Sequence, residues 1–158
     1  MKVNWGKLII AVAACQAAGI LGSVFTFSEI PTWYATLAKP ALNPPSWIFG
    51  PVWITLYTLM GIALYLVWQK GWQKREVKIA LGVFAAQLVL NSGWSIIFFG
   101  LKELGWALAE IVVLLGFITA AIVLFYRINR WAAYLLLPYL AWSSFAAYLT
   151  WAIWSLNR

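Results

Sequence analysis

The sequence predicts an all-α membrane protein: a five-transmembrane-helix bundle with a proline-rich first loop capping a pocket. Three observations lead there. Of 158 residues, 65% are hydrophobic and 9% charged, whereas a soluble domain is about 45–50% apolar and about 25% charged. Five charge-poor runs each approach the length of about twenty residues that crosses a hydrocarbon core of about 30 Å. Five of the six prolines (Pro31, Pro40, Pro44, Pro45 and Pro51) lie in or beside the one long break between those runs. Four acids and eleven bases cannot cover a globule of this size, so most of the surface must be solvated by lipid.

The first span is Leu8–Phe27, twenty residues without a charge, preceded by Lys2 and Lys7. A cleaved signal peptide is the rival reading, but its apolar core is only about 7–15 residues and ends at a small-residue cleavage site. Ala11-Val12-Ala13 comes too early for that site and Phe25-Thr26-Phe27 is a poor one, so a retained span is expected. The break that follows, Trp33–Trp53, is rich in proline, which fixes φ and pushes the preceding residue toward extended geometry. Lys39-Pro40 and Asn43-Pro44-Pro45-Ser46 should therefore form a stiff, non-helical connector over the bundle.

Four more spans are expected at about 47–68, 79–100, 104–126 and 131–154. Only the fourth span carries an internal acid, Glu110, near enough to its end to snorkel or be neutral, and only the fifth carries an internal proline away from its start, Pro138. The joints 69–78, 101–103 and 127–130 are short and force antiparallel neighbours. One domain, 1–158, is expected. Ala14-x3-Ala18-x3-Gly22 and Gly116-x3-Ala120 supply small residues for close helix approach. Lys2, Lys7, Lys70, Lys74, Arg75, Lys78, Arg127 and Arg130 fall on one side, and Lys39, Lys102 and Arg158 on the other. The positive-inside rule then puts the N-terminus in the cytoplasm and the connector outside. A prokaryotic plasma membrane is the expected location.

Composition also removes several function classes. The chain has no histidine, so it lacks the commonest metal ligand, the usual axial haem ligand and the usual general base. No metal site and no required cofactor are expected. One cysteine, Cys15, excludes an intramolecular disulfide. The +7 charge sits in short loops rather than along one face, so nucleic acid is not an expected partner. The lipid bilayer is.

Twelve tryptophans remain to be explained. Trp5, Trp47, Trp68, Trp72, Trp106, Trp131, Trp151 and Trp154 lie near span ends, where an interfacial belt accounts for them. Trp33 lies in the connector. Trp53, Trp94 and Trp142 lie inside spans, about 9, 9 and 18 Å from the connector side at about 1.5 Å per residue. Asn91 lies about 13 Å in and Ala146 about 12 Å. Gln87, Asn91, Trp94 and Phe98 share one face of the third span, and Pro138, Trp142, Ala146 and Leu149 share one face of the fifth. An amide in lipid is expensive unless paired, so Gln87 and Asn91 should face inward. The three indoles read either as bundle core or as the walls of a pocket under the connector.

At this point the residues become recognisable. Trp33-Tyr34-x4-Lys39-Pro40-x3-Pro44-Pro45-x-Trp47-x-Phe49-x3-Trp53-x3-Tyr57-x2-Met60-Gly61 resembles the signature of the translocator protein family, also called tryptophan-rich sensory protein or peripheral-type benzodiazepine receptor. Asn91-x2-Trp94-x3-Phe98-Phe99-Gly100 and Pro138-Tyr139-x2-Trp142-x2-Phe145-Ala146 are similar to its third- and fifth-helix motifs. The resemblance implies a five-helix bundle, often a homodimer. It implies a pocket for protoporphyrin-type tetrapyrroles and for benzodiazepine-like or isoquinoline drugs, lined by positions that here read Tyr34, Trp53, Asn91, Trp94, Trp142 and Ala146. The end of the fifth span has no tyrosine where mitochondrial relatives carry a cholesterol-recognition pattern, and sterol binding is not expected.

The candidate ligand-binding set is therefore Trp33, Tyr34, Trp53, Gln87, Asn91, Trp94, Trp142, Ala146 and Leu149. The expected function is a membrane receptor or sensor for porphyrin-type molecules, with roles in stress signalling or ligand movement open. Two alternatives stand beside it: light-dependent porphyrin breakdown, for which Trp53 and Trp142 are the catalytic candidates, and transport of small amphipathic molecules. Acid–base and nucleophilic catalysis lack their usual tools here.

Overall fold

The computed structural model describes residues 2–158. Five helices are long and apolar enough to cross a membrane: α1 (Trp5–Phe27), α2 (Ser46–Trp68), α3 (Arg75–Gly100), α4 (Leu104–Ile128) and α5 (Arg130–Leu156). No strand occurs among the described residues. The helices overrun the charge-free stretches because charge marks where lipid begins, not where backbone hydrogen bonding begins. Arg75–Lys78, expected in a loop, is thus the first turn of α3. Asn4 starts α1, its side chain accepting from the Lys7 N–H at 3.1 Å. Asn129 starts α5 by accepting from the N–H groups of Trp131 and Ala132. Such caps satisfy N–H groups that a helix start leaves unpaired.

The connector is less uniform than expected. Trp33–Thr36 forms one helical turn, Leu37–Pro45 is non-helical, and Ser46–Ile48 is the tight first turn of α2. So Lys39-Pro40 and Asn43-Pro44-Pro45 are non-helical, but Ser46 already belongs to the helix. At the far end of α3, Ile96–Gly100 widens into a π turn. Lys102, at φ 58°, then reverses the chain in three residues. Its Nζ pairs with Glu29 at 3.2 Å. Helix α5 runs through Pro138, which faces outward.

The helices close a ring: α1 packs on α2 and α3, α2 on α5, α5 on α4, and α4 on α3. Small residues set the tightest approaches. A Cβ on Gly61 would stand 2.5 Å from Val12 Cα, so α1 and α2 touch backbone to side there. Gly22 meets Ser95 of α3, and the Ser92 hydroxyl donates to the Ala18 carbonyl at 2.9 Å. Ala18 and Gly22 thus serve internal packing, while Ala14, Gly116 and Ala120 face outward. The outer faces carry Ile9, Ile10, Leu21, Val24, Val89 and Val112, all exposed. Lipid solvates such faces at no cost, and the closed backbone of each helix needs no water.

We call the connector side of the bundle its upper half. The lower half is filled by Met60, Val67, Val77, Phe84, Phe125, Ala132 and Leu136, with the Phe84 and Phe125 rings stacked at 5.4 Å.

Candidate functional site

The upper half encloses a cavity of about 320 Å3 lined by residues from all five helices and by Tyr34 of the connector. Its floor is a hydrogen-bonded network. Asn91 of α3 is 5% exposed; its Nδ2 donates to the Tyr139 hydroxyl at 2.9 Å, and its Oδ1 accepts from the Tyr57 hydroxyl. The Tyr139 hydroxyl in turn donates to Gln87 Oε1 at 2.7 Å. Pairing is what permits two amides at this depth, because an unpaired amide in a low-dielectric interior costs several kcal/mol.

The walls are aromatic. Trp53 of α2 stacks on Tyr57 at 5.5 Å and meets Tyr139 edge-on at 6.2 Å. Trp94 of α3 stacks on Phe98 at 4.8 Å. Trp142 of α5 meets Phe49 edge-on at 6.1 Å. Each indole leans on a different partner, and the space between them stays open. Ala146 and Leu149 continue the α5 wall, Ile111 and Leu114 form the α4 wall, and Gly19, Ile20, Ser23 and Phe27 form the α1 wall.

Above, Tyr34 is buried and its hydroxyl donates to Asn43 Oδ1 at 2.9 Å. Burial raises the Tyr34 phenol above its ordinary range, offset in part by that hydrogen bond, so it stays a donor at neutral pH. Lys39 Nζ stands 4.7 Å above the Tyr34 ring, within cation–π reach, and donates to the Leu37 carbonyl.

Three side chains in this half hold buried polar atoms with no partner among the described residues: Trp94 Nε1, Ser143 Oγ and both carboxylate oxygens of Glu110. Trp94 and Ser143 line the cavity. Glu110 does not snorkel to the interface; its carboxylate lies against Gly93 of α3. The lining carries no acid, no amine and no imidazole. It is equipped to hold a guest by shape, ring stacking and a few hydrogen bonds.

Seven of the nine candidate residues line the cavity: Tyr34, Trp53, Asn91, Trp94, Trp142, Ala146 and Leu149. Two do not. Trp33 precedes Tyr34 in a helical turn, and successive residues of a helix point about 100° apart. With Tyr34 turned inward, Trp33 lands edge-on against Phe98 and Phe99 at 5.8 and 6.5 Å, under Lys102. Gln87 shares the Asn91 face, but lies one turn deeper, beneath the floor that Tyr57 and Tyr139 close. Sequence reasoning missed Phe49, Tyr57, Ser143 and the whole α1 wall. Tyr57 lay in the quoted motif, one turn from Trp53, and that spacing was a usable signal. On α1, Gln16, Gly19, Ser23 and Thr26 fall at helical spacing on one face, a signal that was also there.

The comparisons with known proteins agree with this architecture. The family model described as TspO/MBR family matches residues 11–155. The chain is 45% identical over 150 residues to the tryptophan-rich protein TspO of Chlorobaculum tepidum, covering 95% of each chain. It is 43% identical over 160 residues to the translocator protein of Homo sapiens, covering all of this chain and 94% of that one. It is 36% identical over 157 residues to the tryptophan-rich sensory protein of Cereibacter sphaeroides, covering 99% and 95%. With five membrane-length apolar helices and relatives matched end to end, this is an integral membrane protein, and the chain belongs to the TspO/MBR family.

Proposed function

We propose that the chain is a membrane receptor or sensor that binds protoporphyrin-type tetrapyrroles, and flat benzodiazepine-like or isoquinoline molecules, in the cavity under the first loop. One observation carries this reading: a hollow walled by Trp53, Trp94 and Trp142 with the Asn91 amide in its floor. At about 320 Å3 it falls at the lower end of small-molecule sites, about 300–1,000 Å3. Aromatic faces and edges suit a planar guest. Trp94 Nε1 and Ser143 Oγ, which have no partner among the described residues, are placed to hydrogen-bond a guest. Lys39 is outside the lining, over the Tyr34 ring, and is the candidate cation for a carboxylate edge that extends to the connector. Haem is the disfavoured guest: no histidine exists, Cys15 and Met60 are buried in the packed core, and the hydroxyls of the two lining tyrosines, Tyr34 and Tyr57, are bonded to Asn43 and Asn91.

In this reading the loop end faces outward in a prokaryotic plasma membrane and the protein pairs as a homodimer. A reporter fused after Arg158 should then be found outside the cell. Titration of the purified protein with protoporphyrin IX should quench tryptophan emission saturably. Trp142→Ala and Asn91→Ala should each weaken binding about tenfold, equivalent to about 1.4 kcal/mol. Unchanged affinity in both would remove the cavity as the site, and a spectrum of axial ligation with haem would contradict the choice of guest.

A further inference from the structure

Two edges of the cavity are built in opposite ways. At the roof the connector is tied down. Asn157, just past α5, grips both backbone groups of one residue with the two ends of its amide: Oδ1 accepts from the Ala38 N–H at 3.0 Å, and Nδ2 donates to the Ala38 carbonyl at 2.9 Å. The same Nδ2 donates to the Ile153 carbonyl at 2.7 Å, which holds the grip to the helix end. Beneath it, Tyr34 is only 6% exposed and is bonded to Asn43. Over Tyr34 and Ala38, on the α5 side, the roof is closed. Toward α1 and α2, Phe27 and Ser46 line the cavity and are exposed, so the gap between those helices reaches the interface.

Between α1 and α2 the reverse holds. Ile20 and Ile54 line the cavity, yet are 64% and 62% exposed. A side chain that is both cavity wall and outer surface is the jamb of an opening. Here the outer surface is the lipid-facing one. The opening has a sill: Gln16 of α1 donates through Nε2 to the Ile54 carbonyl and to Thr58 Oγ1, each at 3.0 Å. Just above, Gly19 abuts the Tyr57 ring so closely that a Cβ would overlap it. The opening also has a gap in its frame. Gly50 lines the cavity, is exposed, and would meet no atom within 4 Å if given a Cβ.

We propose that the cavity's door is lateral: guests enter and leave between α1 and α2, from the acyl layer, under a roof that stays shut. This rests on the ligand-binding reading above. Along α2, Gly50 and Ile54 lie about 6 and 12 Å from Ser46 at about 1.5 Å per residue. The door therefore runs from the interface into the hydrocarbon. It admits a molecule already dissolved in the bilayer, flat and apolar, with its polar edge at the headgroups. It does not admit a solute that stays in water.

The test is stopped-flow tryptophan quenching by protoporphyrin IX, with the full chain reconstituted in phosphatidylcholine nanodiscs. Gly50→Phe, placed in the open gap, should slow both association and dissociation by about tenfold or more, and Gly50→Ala should do so in smaller measure. Asn157→Ala, which frees the roof, should leave both rates within about twofold of wild type, well inside the spread of decades that rates show among variants of one site. Rates that rise about tenfold in Asn157→Ala, with both Gly50 variants at wild-type rates, would make the roof the door and overturn the proposal. So would loss of binding in Gly50→Phe while Gly50→Ala keeps wild-type rates. If the wild type itself fails to quench, the ligand-binding reading falls; if it quenches and no variant changes the rates, only the lateral door falls.

Discussion

The lower and upper halves of the bundle are made from the same five helices but are filled in different ways. Below, small and aliphatic residues interdigitate: Ala63, Ala80, Ala132 and Ala133 make room for Phe84, Phe125 and Met60, all at most 1% exposed. Above, the residues are larger, yet the space is not full. Trp53, Trp94 and Trp142 are each held against a separate ring, so none swings inward to fill the centre. The unpartnered buried polar atoms follow the same division. Trp94 Nε1, Ser143 Oγ and the Glu110 carboxylate all lie in the upper half. A protein interior normally packs to crystal-like density and pairs its polar groups. The lower half obeys both rules and the upper half neither. The comparison teaches that bulk does not fill a core: aromatics fixed at a wall create a void, while small residues facing rings abolish one.

The comparison breaks most sharply in the lower half. Phe84→Ala should lower stability by about 3–5 kcal/mol, the usual cost of emptying an aromatic site in a packed core, seen as a large drop in thermal midpoint in detergent with the porphyrin site unaltered. Gly61→Ala comes next, because its methyl group would meet Val12 backbone rather than a movable side chain. A loss of about 1–3 kcal/mol is expected. Asn91→Leu should cost about 1–3 kcal/mol by leaving the buried Tyr57 hydroxyl without its acceptor, and should also weaken porphyrin binding. Trp142→Ala sharpens the contrast: one side of its indole already faces a void, so its stability cost should fall below that of Phe84→Ala while its effect on binding is greater. Smallest of all, Gly116→Ala on the outer face of α4, where a Cβ meets nothing within 4 Å, should stay within about 0.5 kcal/mol of wild type.

Much of this was legible in the residues. Hydropathy gave five helices, because twenty uncharged residues have few other places to go. Counting along each helix put Trp53, Trp94, Trp142 and Asn91 in the same half, because helical rise is constant. Rotation was harder to read. Helix α1 carries its few uncharged polar side chains, Gln16, Ser23 and Thr26, on one face with Gly19, and that face lines the cavity; spread singly along an otherwise apolar run, they were passed over. Trp33 and Tyr34 are neighbours of equal appeal, and only the helical turn at Trp33–Thr36 decides between them. Gln87 was placed on the right face, but the floor that shuts it out is made by Tyr57 and Tyr139 from two other helices. Long-range pairing of that kind has no local trace in the chain.

The most direct measurement is an experimental structure of the full chain in lipid after exposure to protoporphyrin IX. The account predicts a flat density between the Trp53, Trp94 and Trp142 rings, above the Asn91 amide, with the Phe84–Phe125 half unchanged. Density for the porphyrin only on the outer helix faces, with the three indoles collapsed onto one another, would contradict it.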